Sequence, residues 1–389
     1  MWYLTKPIER FFCRSMEKKV MKTETTKKIK ILSFFAGIGF LDLGFSRSGF
    51  DVAFVNEANP DFLDAYKFAR RGEREPVYGY STESAEVFLD EDIWHKQFPC
   101  FRENDVWGII GGPPCPDFSC AGKNAGCDGK NGILTKVYFD LICKHRPSFF
   151  VFENVKGLYR TQKHRLFYDE QKERLKQAGY VVFDSIENAL CYGVPQNRDR
   201  LILVGFRASD YKRTVTFDFQ HVRKYDLNEV SRVTWPKTSS FSEKRCFLEP
   251  QGIIRDLTVE YWFKKNNVAQ HPNQKDFFQP QKMERFVGIR EGDVSRKSFK
   301  RLHRWRYAPT SAYGNNEVHL HPYRRRRISV AEALAIQSIP SNFVVKHDLS
   351  LSSKFKMVGN GVPFLLAEGV ARNLYFTIST YLLRGKKYA

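Results

Sequence analysis

The sequence predicts an α/β fold built on a mostly parallel sheet with helices on both faces. From Ile29 to about Phe206, short apolar runs alternate with amphipathic stretches, the pattern of strand–helix–strand units. A glycine-rich turn follows the first run and opens the first helix, as in nucleotide-binding sheets. Near the end of this region, two apolar runs have no helix between them, which predicts an antiparallel pair at one edge.

Taken in order, residues 1–28 are basic and without a convincing period, and Met16 or Met21 could serve as the start. Ile29 to Phe35 reads as the first buried strand, followed by the turn Phe35-Ala36-Gly37-Ile38-Gly39-Phe40-Leu41. Further strands are expected at Asp51 to Val55, Trp107 to Ile110, Phe149 to Phe152, Val181 to Ile186 and Leu201 to Phe206. Beyond Arg207 the character changes. Up to about Lys300 the chain is rich in charge and aromatics, with Trp235, Tyr261, Trp262 and Phe263 among many Lys and Arg. A helix is predicted from Ser329, a capping residue, to Ile339 before Pro340, and a last one from Pro363 to about Leu383.

A chain of 389 residues can hold two domains, or one large domain with an insert. Its 63 Lys and Arg against 43 Asp and Glu give +20. That excess suits a polyanion, although a solubilising surface would look the same. No apolar run reaches about 18 residues, so no membrane partner is expected. The eight cysteines show no CxxC pair, which favours reduced thiols in a cytoplasmic setting, with neither disulfides nor a metal.

Five segments carry chemistry. In the turn, Phe35, Gly37 and Gly39 let backbone approach a ligand, and Glu57 follows the second strand, where a carboxylate can bind ribose hydroxyls. These leave NAD and S-adenosylmethionine undistinguished. Gly111-Gly112-Pro113-Pro114-Cys115 follows a strand, placing Cys115 at its carboxyl end on a stiff turn, as befits a nucleophile. The glycine-punctuated segment from Phe118 to Gly132, with Ser119 and Lys123, reads as a basic loop able to close over a phosphate backbone. Glu153 follows four apolar residues, so its carboxyl should be desolvated and suited to general-acid work. Gln196-Asn197-Arg198-Asp199-Arg200 sets Arg198 and Arg200 on one face if extended, to hold a base or phosphate.

The order of these segments resembles that of the DNA cytosine-5 methyltransferase family, in particular the prokaryotic restriction-modification enzymes. Besides the turn at 35–41, the likeness rests on Pro114-Cys115, Glu153-Asn154-Val155 and Gln-x-Arg-x-Arg at 196–200. His321-Pro322, Arg326 through Glu332 to Gln337 and Pro340, and Gly359-Asn360-Gly361-Val362-Pro363 complete it. It spans Ile29 to the C-terminus. The resemblance implies a Rossmann-like S-adenosylmethionine-dependent methyltransferase sheet with an inserted small DNA-recognition domain. The corresponding boundaries are a 1–28 extension, a 29–206 catalytic and cofactor-binding part, a 207–344 recognition domain and a 345–389 return helix.

It further implies methyl transfer to carbon 5 of a cytosine flipped out of double-stranded DNA, with Cys115 adding covalently to carbon 6. Glu153 would serve ring N3, and Arg198 and Arg200 would support the base carbonyl and the glutamate. Phe35, Gly37, Gly39, Glu57, Asn360 and Val362 would hold S-adenosylmethionine, and Ser119 and Lys123 the DNA. A monomer in the bacterial cytoplasm or nucleoid is implied, with any cognate restriction endonuclease acting separately. Two departures stand out: Pro116 where the family has Gln, and Asn131 where an Arg is usual. The acid for the adenine amino group is unplaced, with Ser81, Glu83 and Asp105 as candidates. Competing readings are a tRNA cytosine-5 methyltransferase, whose Cys-Phe-Thr is here Cys246-Phe247-Leu248, and a catalytically silent DNA-binding member.

Overall fold

The computed structural model describes residues 28–99, 105–114, 130–211, 214–243, 248–279, 284–311, 313 and 317–383. The Met16 and Met21 starts, Cys115, Pro116, Ser119, Lys123 and Cys246 lie outside the described residues.

Seven strands form one sheet: β1 (Ile29–Phe34), β2 (Phe50–Asn56), β3 (Tyr80–Ser81), β4 (Trp107–Gly111), β5 (Phe149–Val155), β6 (Tyr180–Asn188) and β7 (Asp199–Arg207). Their spatial order is β3-β2-β1-β4-β5-β7-β6. The first five pair in parallel, whereas β7 runs antiparallel to both β5 and β6. The six apolar runs are therefore six strands, and the helix-free pair is antiparallel, with β6 at the edge. β3 escapes the pattern because two residues carry no period.

Helices cover both faces, since the strands are buried on both sides. On one face lie α1 (Phe40–Arg47), α2 (Pro60–Ala69) and the long C-terminal helix. On the other lie α3 (Glu91–Gln97), α4 (Lys130–His145) and α6 (Gln162–Gln177), which follows the short α5 (Lys156–Arg160). After β7 the chain forms short helices, α7 (Leu227–Arg232), α8 (Val259–Lys265) and α9 (Glu284–Val287), amid irregular segments.

α10 (Val330–Ile336) starts where Ser329 accepts from the Glu332 amide and Glu332 reaches back, a capping box. It ends three residues short of the expected Ile339, because Ser338 turns left-handed at φ 56°. α11 (Leu351–Asn360) was not anticipated; α12 (Phe364–Ile378) was, and it continues as a π turn to Leu383. A core of α8, α10 and α11 side chains, including Trp262, Leu334 and Phe355, also takes in Ile38 and Phe40 beside the glycine turn. That packing sets the post-β7 segment against the sheet's functional edge.

Candidate active site

Strand direction gathers the functional positions at one edge. Pairing aligns Phe34 with Asn56 and Gly111, and Gly111 with Phe152. The residues that follow β1, β2 and β4 therefore emerge beside the end of β5 and, since β7 is antiparallel, beside its start.

Glu153 lies inside β5, two residues before its end, and only 6% of it is exposed. Arg200 stands opposite Val155, so it reaches Glu153 diagonally across the two strands. Its Nε lies 2.7 Å from Glu153 Oε1. Burial pushes the Glu153 carboxyl up, and the Arg200 and then Arg198 guanidiniums pull it back only in part. The group is thus held above the usual carboxylate range, as an acid needs. A Cβ on Gly112 would lie 2.6 Å from Glu153 Oε2, so the bare glycine seats the carboxylate. Asn154 Nδ2 donates to the Pro113 carbonyl at 3.5 Å, tying β5 to the turn that leads into Cys115.

Arg198 does different work from its neighbour. It is fully buried, and its two terminal nitrogens donate to Ser311 O and Oγ, Gly359 O and Gly361 O at 2.7–3.2 Å. Gln337 joins the same cluster, donating to Ser311 Oγ at 3.2 Å and Val358 O at 2.8 Å. Arg198 therefore clamps two distant segments, and its charge also helps to pull the Glu153 carboxyl down. Further back, Glu332 is bidentate to Arg326 and lies 3.3 Å from His321 Nε2. This second motif cluster is a buried structural network.

The glycine turn is strongly bent: Phe35, Gly37 and Gly39 have φ of 55°, 57° and 85°. Glu57 braces it, accepting from Gly37 N at 2.8 Å and Asn59 N at 2.9 Å. Burial raises the Glu57 carboxyl, and those two amides pull it back. A Cβ on Gly37 would meet no atom within 4 Å, so space for a ligand lies beside it. On Gly361 it would lie 2.1 Å from the Phe40 ring, which shows how tightly the last motif docks on the start of α1. Val362 is buried there, and Asn360 is exposed.

Ser81 and Glu83 adjoin this turn, since Glu57 N donates to Ser81 O and Asn56 Nδ2 to Glu83 O. Asp105, by contrast, precedes β4 and so sits at the opposite end of the sheet.

A family model described as C-5 cytosine-specific DNA methylase matches residues 29–375, most of the chain. The chain belongs to that family. The Type II methyltransferase M.NmeDI of Neisseria meningitidis serogroup C is 51% identical over 370 residues, 92% of this chain and 86% of that one. M.FnuDI of Fusobacterium nucleatum, another Type II methyltransferase, is 28% identical over 361 residues, 90% and 95% of the two chains.

Among solved structures, a putative DNA modification methyltransferase from an Escherichia coli prophage has a TM-score of 0.64 at 20% identity, covering 90% of this chain and 99% of its own. A mutant of Spodoptera frugiperda DNMT2 gives 0.58 at 15%, covering 89% and 99%. These two likenesses concern the fold alone. As a C-5 cytosine-specific DNA methylase the chain is an enzyme, and the family implies use of S-adenosylmethionine and a DNA substrate. Among the described residues, no group of three or more His, Cys, Asp or Glu could hold a metal ion, and no helix is long and apolar enough to cross a membrane.

Sequence reasoning singled out the turn, Glu57, Glu153 and Arg200, and the fold brings them to one edge of the sheet. It missed Gly112 as the seat of Glu153 and Ser311 as the partner of Arg198, because each is defined by a contact across the fold.

Proposed function

We propose that this methylase modifies carbon 5 of a cytosine flipped out of a specific double-stranded DNA sequence, as the modification half of a restriction-modification system. The observation that carries the reading is the buried Glu153, held proton-ready against Arg200 beneath the turn that leads into Cys115. Carbon 5 of cytosine is a poor nucleophile. Addition of the Cys115 thiolate to carbon 6 makes carbon 5 an enamine carbon, and the Glu153 proton at ring N3 prevents negative charge from building on the ring. After methylation the carbon 5 proton passes to solvent, the Cys115–carbon 6 bond breaks with its electron pair leaving on sulfur, and the N3 proton returns to Glu153, which restores aromaticity and the starting enzyme.

Arg200 fixes Glu153, while Arg198 secures the frame around the pair. Phe35, Gly37, Gly39, Glu57, Asn360 and Val362 would hold S-adenosylmethionine, which supplies an electrophilic methyl group on sulfonium when bound. The open space at Gly37 and the adjacent carboxylate fit that group. The target carbon is buried in a duplex, so the base must leave the stack, at a cost of a few kcal/mol. The 115–129 segment, with Ser119 and Lys123, would contact the DNA, and residues 207–344 would form the domain that reads it. We place the enzyme in the bacterial cytoplasm as a monomer.

A duplex carrying 5-fluorocytosine at the target tests this directly. Fluorine cannot leave carbon 5 as a proton does, so the adduct should persist as a denaturant-resistant complex of chain and DNA. Cys115→Ala should form none while still binding S-adenosylmethionine. An active preparation that yields no adduct refutes the covalent route.

A further inference from the structure

We propose that Asp42 and Tyr66 are positioning residues that hold the glycine turn in its cofactor-binding shape, so that cofactor affinity, not the chemical step, depends on their hydrogen bond. The inference rests on reading that turn as the S-adenosylmethionine site.

Asp42 is the third residue of α1 and has no exposed surface. Ser33 of β1 donates to its Oδ1 at 2.7 Å, and Tyr66 of α2 donates to its Oδ2 at 2.8 Å. One carboxylate thus ties together the strand before the turn, the helix after it and the helix beyond the next strand. The Tyr66 ring lies directly under the turn, because a Cβ on Gly39 would come within 2.4 Å of it. Arg70 closes the assembly. Its guanidinium sits 5.2 Å from the Tyr66 ring centroid and reaches Ser46 Oγ at 2.6 Å and Gly39 O at 3.5 Å.

A buried carboxylate is a costly way to fill a core position that a leucine could occupy. What it supplies here is definition. Three residues of the turn have positive φ, one of them Phe35, and such backbone persists only where its surroundings over-determine it. Gly39 offers no side-chain cap to α1, and Asp42 is the acid in its first turn, facing the helix's positive end. Burial pushes the Asp42 carboxyl up, while Arg70 and then the two hydroxyl donors pull it back. None of these groups need touch the ligand; they shape the backbone that does.

The test is Tyr66→Phe in the full-length chain, which deletes one hydroxyl and keeps the ring under Gly39. Calorimetric titration with S-adenosylmethionine should show Kd raised about tenfold, the scale of one hydrogen bond to a charged group. KM for S-adenosylmethionine should rise in parallel, with kcat at saturating cofactor and Kd for DNA within about twofold of wild type. If Tyr66→Phe does not fold, Ser33→Ala removes the other donor and should shift Kd in the same direction. An unchanged Kd, or a fall in kcat without a change in Kd, overturns the proposal. A wild-type chain that takes up no S-adenosylmethionine overturns the underlying reading as well.

Discussion

Placing one methyl group at Gly112 should slow methyl transfer without unfolding the protein. Gly112 is not among the residues with positive φ, so alanine fits its backbone. The new Cβ would lie 2.6 Å from Glu153 Oε2, whereas carbon and oxygen settle nearer ~3.3 Å. The carboxylate must therefore retreat by roughly 0.7 Å, and its other oxygen is pinned 2.7 Å from Arg200. A misplacement approaching 1 Å costs up to about a hundredfold in rate, so Gly112→Ala should lower the single-turnover rate about ten- to a hundredfold. Gly111 provides the contrast: its Cβ would lie 2.5 Å from the Phe34 carbonyl, which is backbone and cannot swing aside. Gly111→Ala should cost folding, and Gly112→Ala should cost rate. The assay is methyl incorporation into unmodified DNA with enzyme in excess, alongside thermal melting. A Gly112→Ala enzyme within about twofold of wild type would refute the claim that this Glu153 position is the reactive one.

Two other expectations concern acid sensitivity and target choice. His145 and His321 are lowered to about 4 and His319 to about 3, in each case chiefly by burial. Unfolded imidazoles titrate near ~6.5, so below that pH the unfolded chain binds more protons, and stability from these residues drains away until about pH 3–4. NMR should find these three rings neutral at pH 5; titration between pH 7 and 5 would contradict their burial. Exchanging residues 207–300 for the matching segment of a relative with another target should transfer the sequence preference, as bisulfite sequencing would read. Retention of the original preference would place recognition elsewhere.

Much of this molecule was legible in its sequence because its signals are local. Strands buried on both faces appear as bare apolar runs, and six of the seven were visible that way. The glycine turn and Glu57 stand just past strand ends and Glu153 two residues before one, where chain direction alone aims them at one edge. The two arginines at 198 and 200 look equivalent in sequence, yet their partners separate them. Arg200 meets a carboxylate on the neighbouring strand, and Arg198 meets carbonyls contributed by remote segments. No periodicity encodes such partners. Asp42 illustrates the same limit: in sequence it is an acid in an apolar helix, and only the fold brings Ser33 and Tyr66 to it. The segment after β7 was opaque because short helices in irregular chain leave little pattern to read.

The reach of Arg198 has a consequence for biosynthesis. Its acceptors lie 113, 161 and 163 residues further along the chain. During translation the sheet can be complete while Gly359 and Gly361 are still unmade, which leaves this guanidinium without its final acceptors. A buried cation short of its full set of acceptors is unfavourable, so the Gly359 and Gly361 side of the frame closes only when most of the polypeptide has emerged. The clamp that Arg198 makes is therefore a late one, set only after the sheet it secures has been synthesised.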